Sequence, residues 1–233
     1  MWQTLVHVCR RWRSAVFGSP LRLKLRLVCA PTTPARDTLD VWPALPLYIR
    51  CLYNREESVD NVLAVLERSN RVYRIDLVYF SSPDFEKFWA AMEVPFPELT
   101  FLWLASDEKT VSVLPDSFLG GSAPRLRTLW LDGIPFPGLP NLLLSTIHLI
   151  SLSVVDIPHS GYFSPEAMLA ALSALSSLEQ LWLESDPLDL ALTDIRLPQR
   201  ASSTPHLQNF GSKGTANTWR TSWLASTPLD SAN

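Results

Sequence analysis

Glycine is scarce in this chain, at 8 of 233 residues. Phosphate-binding loops and nucleophile elbows use glycine at fixed spacings. Neither Gly-x-x-x-x-Gly-Lys-Ser/Thr nor Gly-x-Ser-x-Gly occurs, which argues against a nucleotide-binding α/β enzyme. Cysteine is scarcer still. Cys9, Cys29 and Cys51 are too few, and odd in number, for a disulfide framework. No Cys-x-x-Cys pair offers zinc spacing, and His7, His148, His159 and His206 are scattered. No Asn-x-Ser/Thr site occurs, which agrees with an intracellular protein, cytoplasmic or nuclear. Charge is low too: charged residues are 18%, hydrophobic ones 47%, and the net charge is −3. That balance excludes a disordered chain and gives a nucleic acid no general attraction. A membrane-length apolar run is also missing. Residues 133–155 hold no Asp, Glu, Lys or Arg, but Pro135, Pro137 and Pro140 interrupt the segment. Only about 15 residues follow the last proline, and a span needs about 20, so buried core is expected there.

What is abundant is leucine, at 39 residues, together with 19 prolines. Aligning on Leu-x-x-Leu-x-Leu gives a series. Its members are Val72-x-x-Ile75-x-Leu77, Leu99-x-x-Leu102-x-Leu104, Leu126-x-x-Leu129-x-Leu131, Leu149-x-x-Leu152-x-Val154 and Leu178-x-x-Leu181-x-Leu183. Their middle positions lie 27, 27, 23 and 29 residues apart, within the leucine-rich-repeat range. Alternation inside each match is the strand period of two. One such strand cannot bury its face alone, so neighbours must stack. Between them, Val62, Leu63, Val65 and Leu66 form an apolar helical face in residues 58–69. Ser82-Pro83 and Ser164-Pro165-Glu166 read as helix starts. Phe85, Phe88, Trp89 and Met92 follow the first at helical spacing; Met168, Leu169, Leu172 and Leu175 follow the second. Leu23-x-Leu25-x-Leu27 and Leu45-x-Leu47-x-Ile49 read as degenerate entry strands, with Leu23, Leu47 and Ile75 taken as equivalent. Leu207-x-x-Phe210 starts one more repeat that fails. The expected fold is an α/β leucine-rich-repeat solenoid over residues 21–210, with residues 1–20 as a short helix before it. Residues 211–233 are expected to be a polar, poorly ordered tail.

In Leu-x-Leu the central residue faces away from the core, onto the open concave surface. That position is Asp76, Trp103, Trp130, Ser153 and Trp182. The next outward position is Ala105, Asp132, Val155 and Glu184, which predicts an acidic edge. Strands lie about 4.8 Å apart, so Trp103 and Trp130 are expected to stack. Exposed tryptophan is a preferred hot-spot residue, which points to a protein-binding platform. The alternative is a tryptophan ladder that only covers its own sheet.

Trp2, Leu5, Val8, Cys9 and Trp12 fall on one helical stripe, followed by Arg13 and Ser19-Pro20. This string resembles the last helix of an F-box. With the repeats, and with Val41-Trp42-Pro43-Ala44-Leu45-Pro46-Leu47, the chain is similar to the F-box-like leucine-rich-repeat proteins of mushroom-forming fungi. The resemblance implies the substrate-recognition subunit of a Skp–cullin–F-box type ubiquitin ligase. Its repeats would bind a protein target, and residues 1–20 would touch the Skp adaptor. The F-box part covers about 18 residues and lacks the Leu-Pro-containing helix of a full F-box. The alternative is therefore a repeat-only binding protein without ligase connection. Residues 1–30 carry six Arg or Lys and no acid, a composition also similar to a mitochondrial presequence. Arg10, Arg11 and Arg13 are expected to be a solvated helix face. Gly211-Ser-Lys-Gly is loop-like in composition only, and Asp156, His159 and Ser160 read as a turn. No catalytic residue, metal or cofactor is expected, and neither is an enzymatic activity.

Overall fold

The computed structural model describes residues 7–18, 26–30, 35, 39–40, 44–51, 59–78, 82–106 and 111–184. All of them belong to the first of the chain's two units, residues 1–201. The fold is mixed α/β. Seven strands form one sheet: β1 (Leu27–Cys29), β2 (Leu47–Cys51), β3 (Val72–Val78), β4 (Phe101–Ala105), β5 (Thr128–Asp132), β6 (Ser151–Val155) and β7 (Gln180–Leu183). They lie side by side in chain order and every pair is parallel. The α-helices with described bounds are α1 (Arg10–Phe17), α2 (Val59–Leu66), α3 (Ser82–Ala91), α4 (Leu139–Leu144) and α5 (Pro165–Ala174).

The aligned leucines set the register. Ile75, Leu102, Leu129, Leu152 and Leu181 are cross-strand partners in one column. Leu77, Leu104, Leu131, Val154 and Leu183 make the next. From β3 to β6 both columns are buried in a single hydrophobic core. A turn precedes each of the last four strands. Leu99, Leu126, Leu149 and Leu178 each donate a backbone N–H to the carbonyl three residues earlier. The residue after each then donates to the preceding strand's lead-in: Thr100 to Tyr73, Arg127 to Thr100, Ile150 to Arg127, Glu179 to Ile150, at 2.8–2.9 Å. The same local conformation thus recurs four times, so sequence repetition becomes structural repetition.

The entry strands pair differently from the expected alignment. Ile49, not Leu47, is the partner of Ile75, and Leu27, not Leu23, is the partner of Leu47. Register slips of an even number of residues keep the same side chains inside, so alternation cannot tell them apart. An irregularity between Leu47 and Tyr48 adds to the offset. Leu23, Leu25, Leu207 and residues 211–233 lie outside the described residues.

The helices cover the leucine face. Phe85, Phe88, Trp89 and Met92 are all buried, as their spacing predicts. In α5 the Ser164 hydroxyl accepts from the Ala167 N–H at 3.1 Å and Pro165 opens the helix. Hydrogen bonds from its own backbone N–H and from the Ser164 hydroxyl hold the exposed Glu166 carboxyl below its ordinary range. Leu169 departs from the expected stripe and is 36% exposed. Helix α4 escaped the sequence reading because six residues around Pro140 show too little periodicity. Its segment meets the expectation of core in part: Ile134, Phe136, Leu139, Leu142, Leu143 and Leu149 are buried, while Leu144 and Ile147 are each 55% exposed. Among the described residues no helix is long and apolar enough to cross a membrane.

Glycine is used where nothing else fits. Gly133, just after β5, has φ +67°, and a Cβ there would lie 2.3 Å from the Ser106 carbonyl oxygen. The Ser106 N–H in turn donates to the Asp132 carbonyl. The backbone of two successive repeats therefore closes over a hydrogen atom.

All three cysteines lie among the described residues and none is in a disulfide. Burial pushes the Cys29 thiol from 9.0 up to about 11, with Arg71 nearby opposing the shift. The Tyr48 hydroxyl is likewise raised above 10.0 by burial, by its hydrogen bond to Asp76 and by the Asp76 charge. In both cases the folded chain holds the proton more tightly than the unfolded one. The linked stability is intact below pH 9 for Cys29 and below pH 10 for Tyr48, and is lost as pH rises. The urea midpoint is therefore expected to fall from pH 9 to 11. Cys29→Ala should flatten the first part of that fall and Tyr48→Phe the later part. A midpoint constant over this interval would contradict the linkage.

Candidate functional site

Parallel sheets are ordinarily covered on both faces. Among the described residues, the face opposite the leucine columns is only partly buried. Its side chains fall into two rows set by the register. One runs Tyr48, Arg74, Phe101, Thr128, Ser151, Gln180. The other runs Arg50, Asp76, Trp103, Trp130, Ser153, Trp182.

At the β2–β4 end the face is closed by the protein itself. Arg74 grips Asp76 with two parallel bonds, Nε to Oδ1 and Nη2 to Oδ2, each 3.0 Å. Tyr48 donates its hydroxyl to the same Oδ2. The Arg74 guanidinium lies over the Tyr48 ring at 4.8 Å and over the Phe101 ring at 3.8 Å. Burial alone would lower the Arg74 pKa; the Asp76 bonds and charge outweigh it and raise it overall. Asp76 occupies its expected row but is 2% exposed. It is a buried anchor for Arg74, not the open contact residue expected from its position, because Tyr48 and Arg74 fold over it.

At the centre, Trp103 and Trp130 are half-buried. Their rings meet edge to face, 5.7 Å apart at 77°, rather than in the expected stack. Phe101 adds a second edge contact to Trp130 at 5.4 Å. Edge-to-face packing places positive ring edges on a negative face, which parallel stacking does not.

Toward β7 the face opens. Ser151 and Ser153 are the outward residues of β6. Beyond them Trp182 is 43% exposed, and its Nε1 donates to Glu184 Oε2 at 3.2 Å. The acidic edge exists only at this end. Ala105 is buried, Asp132 is half-buried, and Glu184 is exposed. Asp156, exposed at φ +51°, follows β6 beside them.

Sequence reasoning found the tryptophan row and the acidic positions. It missed Tyr48, Arg74 and Phe101. The signal for them was available: Arg74 and Phe101 sit two residues before Asp76 and Trp103 and so share their face.

The proposed F-box-like residues lie elsewhere. Trp2 and Leu5 fall outside the described residues. Val8 lies in a turn and Cys9 is extended, so α1 begins only at Arg10. Residues 7–9 are His, Val and Cys, all poor helix formers, and the expected stripe is not one continuous helix there. Val8 is 65% and Trp12 50% exposed; Arg13 is exposed, and Val16 is the buried residue of α1. Among the described residues no group of three or more His, Cys, Asp or Glu is arranged to hold a metal.

The fold and this face together define a repeated α/β structure with one helix-covered and one partly open sheet face. No family model, curated protein or solved structure matches the chain.

Proposed function

We propose that the chain is a leucine-rich-repeat solenoid that works as a protein-interaction module without catalytic chemistry. The carrying observation is the uniform register that lines up Trp103, Trp130 and Trp182 on the face opposite the leucine columns. Aromatic anchors on a rigid sheet suit recognition, because little side-chain freedom is lost on binding. In the reading favoured here, the module recruits a protein substrate to a Skp–cullin–F-box type ubiquitin ligase, with residues 1–20 toward the Skp adaptor. A second reading, a repeat-only binder without a ligase, draws support from the extended Cys9, which leaves the F-box-like stripe without one continuous helix.

Two measurements test this. Trp103→Ala combined with Trp130→Ala is expected to weaken partner capture at least tenfold, as hot-spot truncations do. Unchanged capture by the folded double variant would reject the platform. Co-elution of the chain with purified Skp adaptor supports the ligase reading, and separate elution selects the repeat-only one.

A further inference from the structure

The open face carries two rows in which a polar residue stands between aromatic ones. On β2, β3 and β4 the cross-strand row is Tyr48–Arg74–Phe101: aromatic, arginine, aromatic. A carboxylate, Asp76, stands two residues beyond the arginine and binds it at both oxygens with Tyr48 sharing one. On β5, β6 and β7 the row is Trp130–Ser153–Trp182: aromatic, serine, aromatic. Here the carboxylates stand two residues beyond the flanking aromatics, Asp132 after Trp130 and Glu184 after Trp182, while Val155 stands two beyond Ser153. The two rows thus differ in the central side chain and in where the carboxylates sit. Arg74 fills the first cradle from within, and Ser153 is too short to fill the second.

Trp130 and Trp182 stand on strands two spacings apart, about 10 Å, with Ser153 between them. A cation above Ser153 would stand about one strand spacing from each of the two strands that carry the rings, a separation shorter than the roughly 6 Å reach of cation–π attraction. Glu184 already accepts a hydrogen bond from Trp182 Nε1, so its carboxylate is held at the end of the slot. The acids on or next to these strands are Asp132, Asp156, Glu179 and Glu184, and from Thr128 to Glu184 the sequence has no Lys or Arg; Arg125 and Arg127 stand just before β5.

We propose that the slot between Trp130 and Trp182 receives the guanidinium of an arginine on an extended segment of a partner protein. This rests on the interaction-platform reading and names the chemistry of its partner. Arginine is the cation of choice because a planar guanidinium stacks on indole faces and still offers in-plane N–H groups to a carboxylate. Lysine offers only a point charge.

The test uses the full chain and three Gly/Ser decapeptides that differ at one central residue: arginine, lysine or the neutral isostere citrulline. Binding is followed by NMR at the tryptophan indole N–H signals. The arginine peptide is expected to bind at least tenfold tighter than the citrulline peptide and to shift the Trp130 and Trp182 signals. Lysine should fall between them. Trp182→Ala, at a site already 43% exposed, should erase the arginine preference without unfolding the chain. Ser153→Arg should erase it too, by filling the slot from within, with an unfolding midpoint at or above wild type. Equal binding of arginine and citrulline peptides would overturn the proposal, as would arginine binding unchanged in Ser153→Arg. Self-association that Ser153→Arg abolishes would assign the slot to a second copy and overturn a separate partner. Arginine-independent binding that still needs Trp103 and Trp130 would overturn the slot and leave the platform standing. Loss of that dependence would overturn both.

Discussion

Asp76→Ala is expected to destabilise the fold by about 3 kcal/mol, at the lower end of the range for breaking a buried ion pair. Asp76 is 2% exposed, and both its oxygens accept from Arg74. Removing it leaves a guanidinium among the rings of Tyr48 and Phe101 without its counter-charge, and a tyrosine hydroxyl without its acceptor. The Arg74 side chain is 26% exposed, so water recovers part of the loss and the upper end of the range does not apply. Most domains are stable by only about 5–15 kcal/mol, so the change consumes a large share. The urea midpoint should drop with little change in slope. Asp76→Asn should cost less, because it keeps the shape and an acceptor for Tyr48. The double variant Asp76→Ala, Arg74→Met should recover much of the loss, since removing both charges removes the unpaired one. A cost for Asp76→Ala within about 0.5 kcal/mol, the range of ordinary surface changes, would show that the network adds nothing to stability.

The contrast between Asp76 and the tryptophans shows what a repeat can and cannot reveal. Leu-x-x-Leu-x-Leu placed β3 to β7 and located the outward position, because the strand period alone decides which side a residue faces. It did not reveal that Asp76 is buried. That depends on Tyr48, which reaches it from a strand 28 positions earlier in the sequence. Cross-strand neighbours come from register, and register at β2 differs by two residues from the alternation-based alignment. Trp103 and Trp130 illustrate a second limit. Strand spacing brought them together, while the angle between their rings is set by packing with Phe101. At the amino terminus the stripe Val8, Cys9, Trp12 looked helical because spacing is blind to backbone dihedrals. Cys9 has φ −160° and ψ 167° and stands just before the helix.

The connecting segments hid the most. Residues 111–124 show neither a two-residue nor a 3.6-residue apolar period. They contain a 3₁₀ turn, Phe118–Gly121, that carries a core aromatic. Leu119 and Gly120 both have positive φ, and the Leu119 N–H donates to the Met92 carbonyl at 2.7 Å, just beyond α3. This irregular backbone points Phe118 inward. A two-residue or 3.6-residue pattern cannot report such a residue, because its orientation comes from one strained turn.

Phe118→Ala is accordingly expected to cost about 3–5 kcal/mol, as large-to-small changes of buried phenylalanine do. Phe118 is 1% exposed and links two repeats. On one side its ring meets Trp89 of α3 at 6.1 Å, and Trp89 stacks on Phe85 at 4.9 Å. On the other it meets Phe136, between β5 and α4, at 5.6 Å. Phe118→Leu keeps most of the apolar area but loses two edge contacts, each worth about 0.5–1.5 kcal/mol beyond area. It should therefore cost distinctly less than alanine. The position also bears on cooperativity. Every strand pairs only with its neighbours in chain order, so stability passes along the sheet through nearest-neighbour contacts. Emptying the joint between β4 and β5 should weaken the coupling of β1–β4 to β5–β7. Wild-type urea curves followed by circular dichroism and by tryptophan fluorescence should coincide. In Phe118→Ala they should separate, with a shallower slope, as one side unfolds before the other. Coincident curves in the alanine variant, with a cost equal to that of leucine, would place the coupling in the leucine columns rather than in this row of rings.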